Sequence, residues 1–116
     1  MSDFKELLTL LEKFRDDRDW GQFHDSKNLA LALSIEAAEL NELFLWKKES
    51  ESEEIDRQRL REELADVFAY AIMLAGRHGL DVSEIVKEKI EKNAKKYPIE
   101  PSKGSSLKYK ELSSDH

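Results

Sequence analysis

The sequence predicts an all-α fold, a four-helix bundle, and three observations carry that expectation. Apolar residues recur at helical spacing through four separate stretches. Glycine (4) and proline (2) are too scarce for the many tight turns of a sandwich or barrel. The 116 residues suit a single hydrophobic core, and their charged 38% mixes both signs rather than forming the one-sign tracts of a disordered chain.

The first helix is expected from about Ser2 to Arg18, with Phe4, Leu7, Leu8, Leu11 and Phe14 on one face and Ser2 or Asp3 as cap. A polar link, Asp19 to Asp25, gathers Trp20, Phe23 and His24. The second helix starts near Asp25 or Ser26 and is expected to reach Trp46 or Lys47. Lys48 to Glu54 is acidic and free of apolar residues, hence a solvated loop. Asp56 caps a third helix, roughly Arg57 to His78, which Gly79 closes from the left-handed region. Asp81 and Glu84 have the spacing of a capping box and open a fourth helix that Pro98 stops after Tyr97. Residues 1–98 thus form the domain and 99–116 a serine- and lysine-rich tail without sustained period.

Composition narrows the chemistry. The absence of cysteine removes disulfides, thiolate nucleophiles and cysteine-held metals. A formal net charge of −6 disfavours broad contact with a nucleic-acid polymer. No apolar run is long enough to span a membrane, and Met1-Ser-Asp-Phe-Lys-Glu is not a signal peptide, so a cytoplasmic protein is expected.

Two helices place carboxylates where apolar side chains belong. Around Glu36, the residues Leu29, Ala32, Leu40 and Leu43 fall within about 40° on the helical wheel, and Glu39 lies about 60° to one side. Around Glu63, Val67, Tyr70 and Leu74 fall within about 40°, and Asp66 lies about 60° away. An unpaired ionised carboxylate there costs several kcal/mol, roughly. Lysine and arginine come near the acids only at the helix ends, as Arg59 and Lys47. One Glu pair could simply lie at the core's edge; two matching i,i+3 pairs favour a cation. Four carboxylates and no soft ligand suit Mg2+, with Mn2+ as a possible substitute. A di-iron site is disfavoured because neither His24 nor His78 follows a glutamate by three residues. No glycine-rich phosphate loop is present. Metal-assisted hydrolysis of a phosphoric anhydride is the chemistry that remains.

Glu36-x-x-Glu39 and Glu63-x-x-Asp66 resemble the ExxE…ExxD signature of the MazG-like superfamily of all-α nucleoside triphosphate pyrophosphohydrolases. Trp20-Gly-Gln-Phe-His24, Lys27-Asn28-Leu29 and Glu42-Leu-Phe-Leu-Trp46-Lys47 resemble its dCTP pyrophosphatase branch. So do Lys89-x-x-x-Asn93-x-x-Lys96-Tyr97-Pro98 and, in the tail, Ser105-Ser106-Leu-Lys108-Tyr109-x-Glu111-Leu112. The resemblance implies Mg2+-dependent cleavage between the α and β phosphates, giving a monophosphate and pyrophosphate. It implies that Glu36, Glu39, Glu63 and Asp66 are the metal ligands and catalytic acids. It also places Lys89, Asn93, Lys96 and Tyr97 at the phosphates or sugar, and Trp20, Phe23, His24, Asn28 and Trp46 around the base. Lys47 and Tyr70 complete the expected substrate contacts. Lys96 stands where arginine is expected, and lysine lacks the bidentate fork.

Leu31, Ile35 and Leu45 leave the second helix apolar on more than one face, which predicts a homodimer or homotetramer with sites completed by a neighbouring subunit. The expected function is therefore a housecleaning hydrolase acting on dCTP or a modified dCTP, with dUTP or dATP as other possible substrates. A non-catalytic helical module that oligomerises or binds a partner is the alternative from another class.

Overall fold

The computed structural model describes residues 3–102 and 104. The predicted cap Ser2 and the tail motif from Ser105 to Leu112 lie outside the described residues. Helices α1 (Asp3–Asp17), α2 (Ser26–Glu42), α3 (Arg57–Arg77) and α4 (Val82–Lys96) follow in order, then a single turn, α5 (Ile99–Ser102). Short 3-10 turns occupy Gly21–Phe23 and Glu49–Glu51, and no strand occurs among the described residues. The chain divides into two compact units, one ending at Asp81 and one beginning with α4 at Val82.

The helix starts follow the predicted caps. The Asp25 carboxylate accepts from the Asn28 N–H at 2.8 Å, and Asp56 accepts from the N–H groups of Gln58 (2.9 Å) and Arg59 (3.1 Å). Gly79, at φ 65°, ends α3: its N–H donates to Gly76 O at 3.1 Å and that of Leu80 to Ala75 O at 2.9 Å. Those two bonds close a Schellman motif. Helix α2 is shorter than predicted, ending at Glu42 rather than Trp46 or Lys47. The N–H groups of Leu43, Phe44, Leu45 and Lys47 donate three residues back instead of four, and Trp46 adopts φ 71°. This tighter winding ends the α-helix while its apolar residues continue. The acidic loop likewise contains a 3-10 turn, and the start of the tail folds as α5.

Within the first unit α3 is the central element, packed against α2 on one side and α1 on the other. Both neighbours run antiparallel to it. The start of α2 meets the end of α3, where Ser26 Oγ lies 2.8 Å from His78 Nε2, while Glu36 and Glu39 face Glu63 near its beginning. Double packing corrects the single stripe read from the sequence. The most buried residues of α3 are Ile72, Met73 and Ala75, whereas Val67, Tyr70 and Leu74 are half-buried. On the wheel Ile72 sits about 180° from Glu63, on the far side of the helix.

Helix α1 comes close enough to α3 that Leu8 fills the place of a side chain at Gly76. A Cβ there would stand 2.6 Å from Leu8 Cδ2 and 2.7 Å from Leu8 Cδ1. Gly76→Val should therefore destabilise the fold by about 1–3 kcal/mol through overpacking. Leu8→Ala should cancel part of that loss, and thermal melts of the two single variants and the double variant measure the coupling.

Candidate metal and nucleotide site

The register of α2 on α3 brings the acids together. Glu36, Glu39 and Glu63 each offer a carboxylate oxygen within 4.8 Å of the others. Glu36 and Glu63 are half-buried, and each keeps one oxygen, Oε2, enclosed and without a hydrogen-bond partner. Asp66 lies outside that set of three; it is exposed one turn along α3, and its charge reaches both Glu36 and Glu63. Burial, then Glu39, Asp66 and Glu63, push the Glu36 carboxyl up to about 7. Burial and the charges of Glu39 and Asp66 also raise Glu63, with Arg59 opposing. Like charges this close hold protons above the usual carboxylate range unless a cation joins them.

The donor set fits a hard divalent cation. Every potential ligand is a carboxylate oxygen, and two of them are enclosed and unsatisfied. Buried polar atoms are ordinarily paired, so two orphaned carboxylate oxygens on residues of one cluster call for a partner.

Next to the acids, α1, α3 and the Asp19–Asp25 link enclose a cavity of about 270 Å3. Its lining comprises Leu11, Phe14 and Arg15 from α1, Trp20 and His24 from the link, and Asp66, Ala69, Tyr70 and Met73 from α3. Asp66 thus borders both the cavity and the acid cluster. Tyr70 joins the two electrostatically: burial and the charges of Glu36, Asp66 and Glu39 raise its hydroxyl pKa. Asp19, in the left-handed region at φ 55°, turns the chain, and the Trp20 N–H donates to Arg15 O at 3.0 Å. The indole then meets the Phe14 ring edge-on at 5.8 Å, and Arg18 stacks over that ring at 3.6 Å. His24 lies edge-on to Tyr70 at 6.3 Å and keeps an enclosed Nδ1 without a partner.

Of the residues expected around the base, Trp20 and His24 reach the cavity, as does Tyr70 of the other expected substrate contacts. Asn28 stands behind it: Nδ2 donates to Phe23 O at 3.1 Å and steadies the link. Phe23 is exposed and outside the lining, as are Trp46 and Lys47. Trp46 is 93% exposed in a left-handed backbone that a bulky residue rarely adopts. Lys89, Asn93 and Lys96 lie on α4 and Tyr97 just beyond it, in the second unit. There the Tyr97 N–H donates to Asn93 O at 2.8 Å.

Sequence reading named no site residue on α1, yet Leu11, Phe14 and Arg15 form one wall. The missed signal is of the same kind as for the acids. Arg15 falls about 20° from Leu8 and about 40° from Leu11, a charge inside an apolar stripe.

Glu36 gives the cluster a signed pH dependence. Its folded pKa lies above the unfolded value, so its contribution to stability is present at low pH and is lost as pH rises through about 7. The metal-free melting temperature should fall between about pH 5.5 and about pH 8.5. Mg2+ should reverse that loss at the alkaline end, because ionised carboxylates bind it and bound ligand stabilises the fold. Glu36→Gln should flatten the pH profile and remove most of the Mg2+ response in the same melts.

Comparison with known proteins agrees with this architecture. The model of the MazG-like family matches residues 31–112. The dCTP pyrophosphatase 1 of Rattus norvegicus and that of Homo sapiens are each 40% identical, over 93% of this chain and 66% of the relative. The chain thus spans about two thirds of the length of these curated relatives. The crystal structure of a pyrophosphatase from Archaeoglobus fulgidus superposes with a TM-score of 0.79 and 42% identity, covering 84% of this chain and 94% of the other. With the family model matching most of its length and the all-helical fold shared, the chain belongs to the MazG-like family.

Proposed function

We propose that this protein is a nucleoside triphosphate pyrophosphohydrolase that cleaves between the α and β phosphates and favours dCTP or a modified dCTP. The observation that carries the proposal is the cluster of Glu36, Glu39 and Glu63, with two enclosed unpaired oxygens, beside a cavity of about 270 Å3. The activity named for the rat and human relatives agrees with it.

Glu36, Glu39, Glu63 and Asp66 are proposed to hold Mg2+, or Mn2+ in its place. A bound Mg2+ supplies charge neutralisation for the triphosphate and a lowered pKa for water beside it. Everything else falls to the chain. Trp20 and Phe14 offer flat apolar walls to a base, while His24 and Tyr70 carry polar atoms suited to its edge or to the sugar. Phosphate contacts for Lys89, Asn93, Lys96 and Tyr97 remain part of the proposal and rest on the family resemblance. On α4 the first three share one face at i, i+4 and i+7, as a row of donors should.

The same reading includes a homo-oligomer. Only Leu29, Leu43, Ile72, Met73 and Ala75 form the buried core among the described residues. Leu31 and Ile35, one turn apart on α2, are about half exposed, as is Phe68 on α3. A single chain leaves that much apolar surface wet, and a second copy is the economical cover. Trp46 then finds a use: its exposed indole and unfavourable backbone suit a side chain presented to a neighbour's base cavity, with Lys47 beside it. A role in clearing surplus or altered nucleotides from the cell's pool follows from the activity.

Pyrophosphate release from the standard ribo- and deoxynucleoside triphosphates and 5-methyl-dCTP, with Mg2+ and with EDTA, tests the proposal. Mg2+-dependent release favouring cytosine deoxynucleotides is expected, and Glu63→Gln should lose at least about 100-fold in rate. A folded, oligomeric protein that releases pyrophosphate from none of them is instead a helical interaction module.

A further inference from the structure

Of the nine residues around the cavity, only Arg15 carries a permanent positive charge. Its side chain is 24% exposed and its orientation is held from two sides. Nε donates to Asp16 Oδ1 at 2.9 Å, and Nη2 stands 3.7 Å from Glu12 Oε2, an ion pair without a hydrogen bond. The two terminal nitrogens therefore make no hydrogen bond among the described residues. A guanidinium anchored at Nε, with Nη2 only ion-paired to Glu12 and its terminal N–H groups not hydrogen-bonded among the described residues, is suited to a ligand with two adjacent acceptors. Phe14, Trp20 and Tyr70 supply the flat walls that a base would lie against on the same side of the chain.

We infer that Arg15 reads the base, its fork donating to the adjacent O2 and N3 acceptors of cytosine, and so selects against uracil and thymine. The selection follows from protons. Cytosine N3 is an acceptor, whereas uracil and thymine carry a proton on N3 that would face a guanidinium N–H. A donor-only fork cannot satisfy that proton, so the wrong base leaves one arm of the fork unpaired. The exocyclic amine of cytosine plays no part in this contact. Asp16 and Glu12 act as positioning residues, since they hold the guanidinium without lining the cavity themselves. The inference rests on the pyrophosphohydrolase reading and assigns its base preference to a residue of α1.

The test compares kcat/KM for dCTP, dUTP and the 2-oxopyrimidine deoxynucleoside triphosphate, which keeps O2 and N3 but lacks the amine. The wild-type protein should favour dCTP over dUTP by about tenfold or more, the range of a good bidentate base contact. The 2-oxopyrimidine nucleotide should stay within a few-fold of dCTP. Arg15→Lys keeps the charge without the fork, and Arg15→Gln offers one donor and one acceptor. Both should lower kcat/KM for dCTP and bring the dCTP/dUTP ratio towards one, and Arg15→Gln, whose carbonyl accepts from the uracil N3 proton, should do so most. An unaltered ratio in both variants would overturn the assignment, as would a 2-oxopyrimidine nucleotide that behaves like dUTP. A wild-type ratio near one would do the same while leaving the hydrolase intact. No release from any nucleotide would instead remove the enzymatic reading beneath it.

Discussion

Repulsion between carboxylates is the constraint on which the rest of this structure depends. Glu36, Glu39 and Glu63 are held within reach of one another, and Glu36 is pushed up to about 7 by burial and by its neighbours. An antiparallel pair of helices does not gather three acids for its own stability; an apolar residue at Glu36 would serve the packing better. The packing of α2 on α3 holds the acids in register, with a side-chain hydrogen bond at one end of the pair. Asp25 and Asp56 cap the two helices, and Ser26 and His78 join the start of one to the end of the other. Such a cluster is a standing electrostatic cost, which a bound divalent cation would offset.

The cavity depends on the same central helix. Because α3 packs on two sides, it brings Glu63 to the acid cluster and lines the cavity beside α1 with Asp66, Ala69, Tyr70 and Met73. A ligand with an anionic end and a flat heterocyclic end matches that succession. Gly76 lets α1 settle onto α3, and the left-handed turn at Asp19 returns Trp20 to the aromatic wall. Packing choices far from the acids therefore decide the width of the space beside them.

Much of this was legible in the sequence, and the reasons differ from residue to residue. The convergence of Glu36, Glu39 and Glu63 was legible because charge on an apolar stripe violates helix periodicity, and a violation repeated at matching i,i+3 spacing is informative. Asp25, Asp56 and Gly79 were found because caps obey local stereochemistry. The early end of α2 was not visible, since Leu43, Phe44 and Leu45 continue the apolar composition while the backbone tightens. Nor was the role of Ile72 and Met73, which are buried although they lie off the stripe that carries Glu63, with α1 as well as α2 packed on α3. Arg15 carried the same kind of signal as the acids, with Glu12 about 60° away at i,i+3, but no second helix repeats that pair. Phe23 is exposed outside the cavity lining, and Asn28 donates to the Phe23 carbonyl, a local contact that motif reading does not supply.

The central claim is that these acids are a cation's ligands, and anomalous diffraction from crystals soaked with Mn2+ and a non-hydrolysable dCTP analogue tests it most directly. The account predicts a manganese peak among the carboxylates of Glu36, Glu39, Glu63 and Asp66, with the analogue's phosphates beside it. Manganese bound only elsewhere, with the four side chains ordered and the cluster empty, would contradict it.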